Sequence, residues 1–128
     1  MINVVAAMPD SQRFLSGGAD HVTAPSRPTI CVWRMNGTAT PTLEGTFTNL
    51  HTGHLCALVA LPDNQHALSG AHDATAKLIN VNTGAVLRTF THHAGGVQCL
   101  ALLPDGLRFV LGTDNGTAHI VYHGLAPK

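Results

Sequence analysis

Hydrophobic residues in this chain come in short runs, and each run is closed by Gly, Pro, Asn or Asp. Leu55 to Leu61 is apolar and stops at Pro62-Asp63-Asn64, and Gln65 to Ala71 follows as its return strand. After a turn at Ala71 to Ala74, the segment Thr75 to Val81 alternates Ala76, Leu78 and Asn80 with Lys77, Ile79 and Val81. Asn82-Thr83-Gly84 then turns the chain into Val86 to Thr91. Runs this short, bounded by turn residues, predict strands in tight hairpins rather than helices. Four such strands form a twisted meander that is apolar on both faces. One sheet of this kind cannot cover itself, so stacking a further copy against it is what buries it.

The copies are visible in the chain. MPDSQRFLSGGAD (8–20), LPDNQHALSGAHD (61–73) and LPDGLRFVLGTDN (103–115) are one phrase, each carrying a Pro-Asp turn. The first two agree at seven positions and the first and third at five, where average residue usage gives about one chance match. The Pro-to-Pro spacings are 53 and 42 residues, and the longer one carries two insertions, within 21–28 and within 37–45. Without them the period is about 42, the length of a four-stranded propeller blade and too long for helical tetratricopeptide or ankyrin repeats. The fold class expected is all-β: a partial β-propeller of about three antiparallel four-stranded blades, at residues 1–50, 51–92 and 93–128, with the third incomplete.

Composition narrows the function. The chain is 45 % apolar, and seven basic residues balance seven acidic ones. No run of Lys or Arg could track a phosphate backbone, which argues against a nucleic-acid partner. The apolar stretch near Met1 is too short and lacks a basic flank for a secretory signal or a membrane span. Cys31, Cys56 and Cys99 are an odd number inside strands, and the expectation is buried free thiols in an intracellular protein, cytoplasmic or nuclear.

The aligned copies resemble the WD-repeat family of β-propellers. That family places a His four residues before the inner strand, a Ser late in the second strand, an Asp in the following turn and a Trp ending the third strand. The resemblance implies that these are hydrogen-bonded in series. In repeat two they fall on His51, Ser69, Asp73 and, in place of Trp, Ile79. In repeat one they fall on Ser16, Asp20 and Trp33, with the His position before Met1; in repeat three His93 matches while Leu111, Asn115 and Val121 depart.

Nine histidines are the one compositional excess. His51, His54, His92 and His93 fall in or beside outer-to-inner connections, and His21 and His72 in turns after the second strand, so both sets face one side. A metal site or a protonation-sensitive surface is the functional alternative, but His-Thr-Gly-His alone supplies no convergent, supported ligand set. No metal and no cofactor are expected. Ser69, His51 and Asp73 are the residue types of a hydrolytic triad, yet each has a structural place and Ser69 sits in a strand rather than on an exposed elbow. The pieces Ser16-Gly17-Gly18 and Ala94-Gly95-Gly96 lack the Lys of a phosphate loop and are expected to be turns. Trp33 is expected to pack against the neighbouring blade. The insertion 21–28, with His21, Val22, Pro25, Arg27 and Pro28, lengthens a loop the fold does not need and is the candidate partner contact.

The function expected from the resemblance is a non-catalytic scaffold or adaptor that holds other proteins or peptides, as in ubiquitin-ligase, trafficking or signalling complexes. The alternatives are an inactive truncated or split segment awaiting a complementary chain, and a histidine-rich metal-binding or pH-sensing module. Propellers close with about four to eight blades, so a fragment of a longer propeller is expected. Self-association through open blade edges is expected as well, with Ile2, Val4 and Val5 bare at one end and Ile120 and Val121 at the other.

Overall fold

The computed structural model describes residues 2–20, 27–37, 39–48, 50–91 and 95–125. The strands are β1 (Ile2–Ala7), β2 (Arg13–Asp20), β3 (Arg27–Asn36), β4 (Ala39–Thr48), β5 (Leu55–Ala60), β6 (His66–Ala71), β7 (Ala76–Asn80), β8 (Val86–Phe90), β9 (Val97–Leu102), β10 (Arg108–Thr113) and β11 (Ala118–Tyr122). The described residues contain no helix. The strands form antiparallel meanders in chain order, β1-β2-β3-β4, β5-β6-β7-β8 and β9-β10-β11, a partial propeller of two four-stranded sheets and one three-stranded sheet. The second insertion is absorbed into the hairpin of β3 and β4, each ten residues long against five for β7 and β8.

The repeated Pro-Asp phrase builds one turn three times. Ser11, Asn64 and Gly106 occupy the same place with φ of 59°, 63° and 71°, and their amides donate to the carbonyls of Met8, Leu61 and Leu103. Pro presets the first turn residue, and the Asp side chain accepts a backbone amide two residues on: Asp10 from Gln12, Asp63 from Gln65 and Asp105 from Leu107. The turn fixes the pairing register. Phe14, Ala67 and Phe109 therefore stand opposite Trp33, Ile79 and Val121 in the three sheets. Each innermost strand also shifts register at the same point, between Ile2 and Val4, between Leu55 and Ala57, and opposite Gly112 and Thr113.

Side chains alternate along a strand, so sheet 2 turns one face toward sheet 1 and the other toward sheet 3. β5 packs on β1 and β2, and β9 packs on β5 and β6. Between sheets 1 and 2 lies a cluster that includes Leu15, Ile30, Val32, Leu55, Leu58 and Ile79. Between sheets 2 and 3 lies another, with Leu68, Leu78, Phe90, Val97, Phe109 and Leu111 among its members. Burying each such side chain contributes about 1.5–3 kcal/mol. The glycines of the repeated phrase set how close the sheets come. A Cβ on Gly17 would lie 2.1 Å from Leu55 Cδ2, and one on Gly70 would lie 2.5 Å from Val97 Cγ1. Ser16-Gly17-Gly18 is thus strand, not turn: it lies within β2 because Gly17 is the seat for the next innermost strand.

Alternation corrects other expectations. Val4 and Val121 face inward and join the two clusters, whereas Val5 and Ile120 are 67 % and 65 % exposed; the side chain of Ile2 lies outside what the structure describes. Trp33 is on the Phe14 face of sheet 1, opposite to Leu15 and Val32, so it turns away from sheet 2 and stacks on Phe14 at 6.2 Å. The thiols are free but none is fully buried: Cys31 and Cys56 are half-buried and Cys99 is exposed, because Cys99 lies on the face of sheet 3 that turns away from sheet 2.

The turns of neighbouring sheets also latch. Asn64 Nδ2 donates to Asp10 Oδ2 at 2.8 Å, and the buried Arg13 guanidinium donates to Asn82 Oδ1 at 2.9 Å and to the Asn64 carbonyl at 2.8 Å. Gly70→Ala is expected to lower the urea-unfolding stability by about 1–3 kcal/mol, since the new methyl has nowhere to go against the stiff, buried Val97. Gly45→Ala is the control, with nothing nearer than 3.6 Å, and an unchanged midpoint is expected there.

Candidate functional site

The densest polar group lies in sheet 2, where the connection into β5, the strand β6 and the turn before β7 meet. His51 is 4 % exposed and Ser69 fully buried. His51 Nε2 is 2.7 Å from Ser69 Oγ, and its Nδ1 is 3.1 Å from Asp73 Oδ2 and 2.9 Å from Thr75 Oγ1. With Nδ1–H donating to the carboxylate, Nε2 is left to accept the Ser69 hydroxyl, and the tautomer is assigned by its partners. Asp73 also accepts the Thr52 amide at 2.9 Å, the Thr75 amide at 3.0 Å and the Thr75 hydroxyl at 2.5 Å. The carboxylate thereby ties the connection into β5 to the turn before β7, and His51 carries the tie on to Ser69 in β6.

Burial pushes the His51 imidazole below its ordinary 6.5, outweighing the upward pull of the Asp73 charge. Burial raises Asp73, but the Thr75 hydroxyl, the Thr52 amide and His51 outweigh it and hold the carboxyl below its ordinary 3.8. The native pair is therefore neutral imidazole beside carboxylate near neutral pH. Its atoms have the order of a hydrolytic triad, yet Ser69 Oγ is closed off from solvent and has no room for a substrate carbonyl.

The other predicted positions are distributed as follows. In sheet 1 the Trp33 indole N–H donates to Ser16 Oγ at 2.9 Å, while the Asp20 backbone pairs with Arg27 in the ladder and its side chain lies outside the described residues. His93 and His92 also lie outside them, as do His21, Val22 and Pro25. Arg27 and Pro28 are strand residues, opposite Asp20 and Ala19, so the candidate loop narrows to 21–26. In sheet 3 Leu111 is fully buried in the apolar cluster where Ser69 stands in sheet 2. Asn115 there accepts the Thr117 hydroxyl at 2.9 Å.

Several polar residues escaped the sequence reading. Thr75 and Thr117 each follow Asp73 or Asn115 by two residues, a recurrence readable in DAT and NGT. His123 is buried, with Nε2 donating to the Gly106 carbonyl at 2.6 Å and Nδ1 accepting the Leu125 amide at 3.1 Å; no repeat partner announces it. His54 and His72 do share a side, edge to face at 6.0 Å. Among the described residues, no group of three or more His, Cys, Asp or Glu is placed to hold a metal ion. A cleft of about 230 Å³ between sheets 1 and 2 is lined by Arg13, Val32, Glu44, Gly45, Val81 and Asn82, but its cation is spent on Asn82 and Asn64, and Glu44 accepts from Arg34.

Comparison with known proteins matches the family model "WD domain, G-beta repeat" twice, at residues 43–80 and 84–121, more than half of the chain. The chain belongs to the WD-repeat family. Each family repeat starts on the outer strand of one sheet and ends on the third strand of the next: β4 with β5, β6 and β7, then β8 with β9, β10 and β11. The covalent unit straddles the stacking interface, so consecutive repeats are stitched by the ladders β3–β4 and β7–β8. Relatives include a guanine nucleotide-binding protein subunit beta of Arabidopsis thaliana, 30 % identical over 102 residues, and one of Oryza sativa subsp. japonica, 28 % identical. A third is the subunit beta-1 of Nicotiana tabacum, 29 % identical. The alignments cover 77 % of this chain and 27 % of each relative, so the chain spans about a quarter of those proteins.

Asp73→Ala removes the carboxylate from His51 Nδ1–H and from two backbone amides, leaving Thr75 Oγ1 as the remaining neighbour of the ring nitrogen, and it is expected to cost about 1–3 kcal/mol in urea-unfolding stability, more than Ser69→Ala at about 1 kcal/mol. His51 sets a pH dependence. Because its native pKa lies below the unfolded value, its contribution is complete above about pH 6.5 and is lost as pH falls below that toward the native value. Asp73 adds a loss in the same direction only below about its ordinary 3.8. The urea midpoint is expected to fall between neutrality and pH 5, and the fall should be shallower in His51→Gln.

Proposed function

We propose that this WD-repeat chain is a non-catalytic scaffold that works inside a multi-protein assembly, as one part of a larger propeller. The observation that carries this is the fate of the reactive side chains: Ser69, His51 and Asp73 are consumed in a closed hydrogen-bonded series that holds the sheet together. What remains for function is a stiff stack of sheets that presents its connections to solvent, as family repeats do when they hold protein partners. The relatives are named as subunits, which supports a role in an assembly of more than one chain, whether of ubiquitin-ligase, trafficking or signalling type.

Residues 1–128 are taken as one partial propeller with units near 1–50, 51–92 and 93–128, and the contact proposed is the connection 21–26 between β2 and β3 together with the strand ends Arg27 and Pro28. An intracellular setting, cytoplasmic or nuclear, fits three cysteines that are free. Among the described residues no helix is long and apolar enough to cross a membrane.

Affinity capture with the immobilised chain, quantified by mass spectrometry, tests this reading. Discrete protein partners are expected, and deletion of residues 22–25 should lose them while the melting temperature holds, since shortening the connection between two paired strands changes little loop entropy. Retention of every partner by the deletion variant rejects the loop. Hydrolysis of activated esters that Ser69→Ala abolishes would reject the non-catalytic reading.

A further inference from the structure

Of the nine histidines, two meet in a way the sequence does not show. His54 lies close to His51 along the chain, but the two rings serve different ends: His51 turns inward to Ser69 and Asp73, while His54 and His72 are exposed. The ladder pairs Leu55 of β5 with Ala71 of β6. His54 and His72, one step outside that pair, therefore stand opposite each other on one side of the two strands. The His72 amide donates to the His54 carbonyl at 2.9 Å, and the rings lie edge to face with centroids 6.0 Å apart.

The backbone under this pair is anchored. Asp73, next to His72, accepts the Thr52 and Thr75 amides, which holds both chain segments where the histidines leave the sheet. From sheet 3, Gly96 comes so near that a Cβ on it would lie 2.9 Å from the His72 Cα. Directly opposite residues of antiparallel strands have Cβ atoms about 4.5–5.5 Å apart, and an ion at about 2.0–2.1 Å from each ring nitrogen fits between two imidazoles so spaced. Reaching it takes only rotation of two exposed side chains, a motion of picoseconds to nanoseconds. The second bond then forms within one molecule, at an effective concentration set by the spacing rather than by the solution.

A lone pair is available for such an ion. Gln98 Nε2 lies 3.3 Å from His72 Nε2, and since an amide N–H only donates, this ring nitrogen carries its lone pair outward. A metal ion takes the same lone pair in place of the amide. The neighbours add no third ligand. The Cys56 thiol donates to the His54 carbonyl at 3.5 Å, and burial, with a smaller push from Asp114, raises its pKa, so it stays protonated. Asp114 accepts the Gly96 amide. Among the described residues no group of three or more His, Cys, Asp or Glu is placed to ligate, so water completes the coordination.

We propose that His54 and His72 chelate a divalent transition-metal ion of the kind imidazole favours, copper(II), nickel(II) or zinc(II), and that the ion clamps the entry to β5 against the exit of β6. The site belongs to sheet 2 and uses none of residues 21–28, so it can fail while the scaffold reading stands.

Calorimetric titration of the whole chain with nickel(II), which leaves the three free thiols unoxidised, tests it. One ion per chain is expected, with a rise in melting temperature that a chelator reverses, because an ion bound only by the native state stabilises it. His54→Asn and His72→Asn, both at exposed positions, should keep the metal-free melting temperature and each weaken binding on the order of 100-fold, since a chelate is lost with either partner. The double variant should lose little more. In the unaltered chain, paramagnetic broadening by nickel(II) should fall first on the ring signals of His54 and His72. A wild type that binds no ion at millimolar nickel(II) overturns the proposal. So does a single variant that binds as tightly as the wild type, which means each imidazole acts alone. Broadening centred on other residues, or binding lost in His92→Asn with His93→Asn but kept in both single variants, assigns the ion elsewhere and overturns it too.

Discussion

Everything in this chain depends on one requirement: a β-sheet that is apolar on both faces must be covered on both. Among the described residues no helix does it, so neighbouring sheets cover one another, and the distance between sheets 1 and 2 is set at Gly17 and that between sheets 2 and 3 at Gly70. Removing a side chain there lets Leu55 and Val97 reach the backbone of the preceding sheet, which brings the flanking Leu, Ile and Phe side chains into contact. Glycine in a strand gives up packing and costs chain entropy, and it persists here because the neighbour's side chain fills the place its own would take.

Stacking alone would let each sheet's hairpins slide or fray at the rim, and the polar side chains are placed against that. At one rim, His51, Ser69 and Asp73 lock the incoming connection to the second strand and the following turn. At the other, the Asp side chains close the three Pro-Asp turns and Arg13 with Asn64 joins two of them across the interface. The same hydrogen bonds that give the Ser-His-Asp series its triad-like order also close it, because Ser69 stands within β6 and is fully buried on the face turned to sheet 1. Where Ser is replaced by Leu111 in sheet 3, the position becomes part of the apolar cluster. A buried hydrogen bond and a buried methyl group are alternative solutions at one place in the repeat.

The β architecture was legible because its signals are local. Leu55–Ala60, His66–Ala71, Ala76–Asn80 and Val86–Phe90 begin and end within a residue or so of where the apolar runs meet Gly, Pro, Asn and Asp. The alignment of Ser16 with Ser69 followed from the repeated phrase and that of Trp33 with Ile79 from the family resemblance, and the pairing register places them at equivalent points. His123 was not legible, since its partners are a backbone carbonyl and amide brought near only by the return of the chain after β11. Nor was Arg13, whose acceptors Asn64 and Asn82 lie in the next sheet.

The sequence by itself determined where strands and turns fall, that the units repeat, and which residue types recur at each place, because hairpin turns and strand periodicity are set by neighbours along the chain. Only the tertiary structure decided which face each side chain takes. Alternation has a period of two, so a one-residue bulge or a strand extended past its expected end changes which side a side chain meets: Val4 is covered and Val5 bare, Val121 is covered and Ile120 bare, and Trp33 turns away from sheet 2. Ser16-Gly17-Gly18 shows the same limit from the other side. A glycine needed for a turn and a glycine needed as a seat for a neighbour's leucine read alike in one dimension, and they are told apart only by what occupies the space beside them.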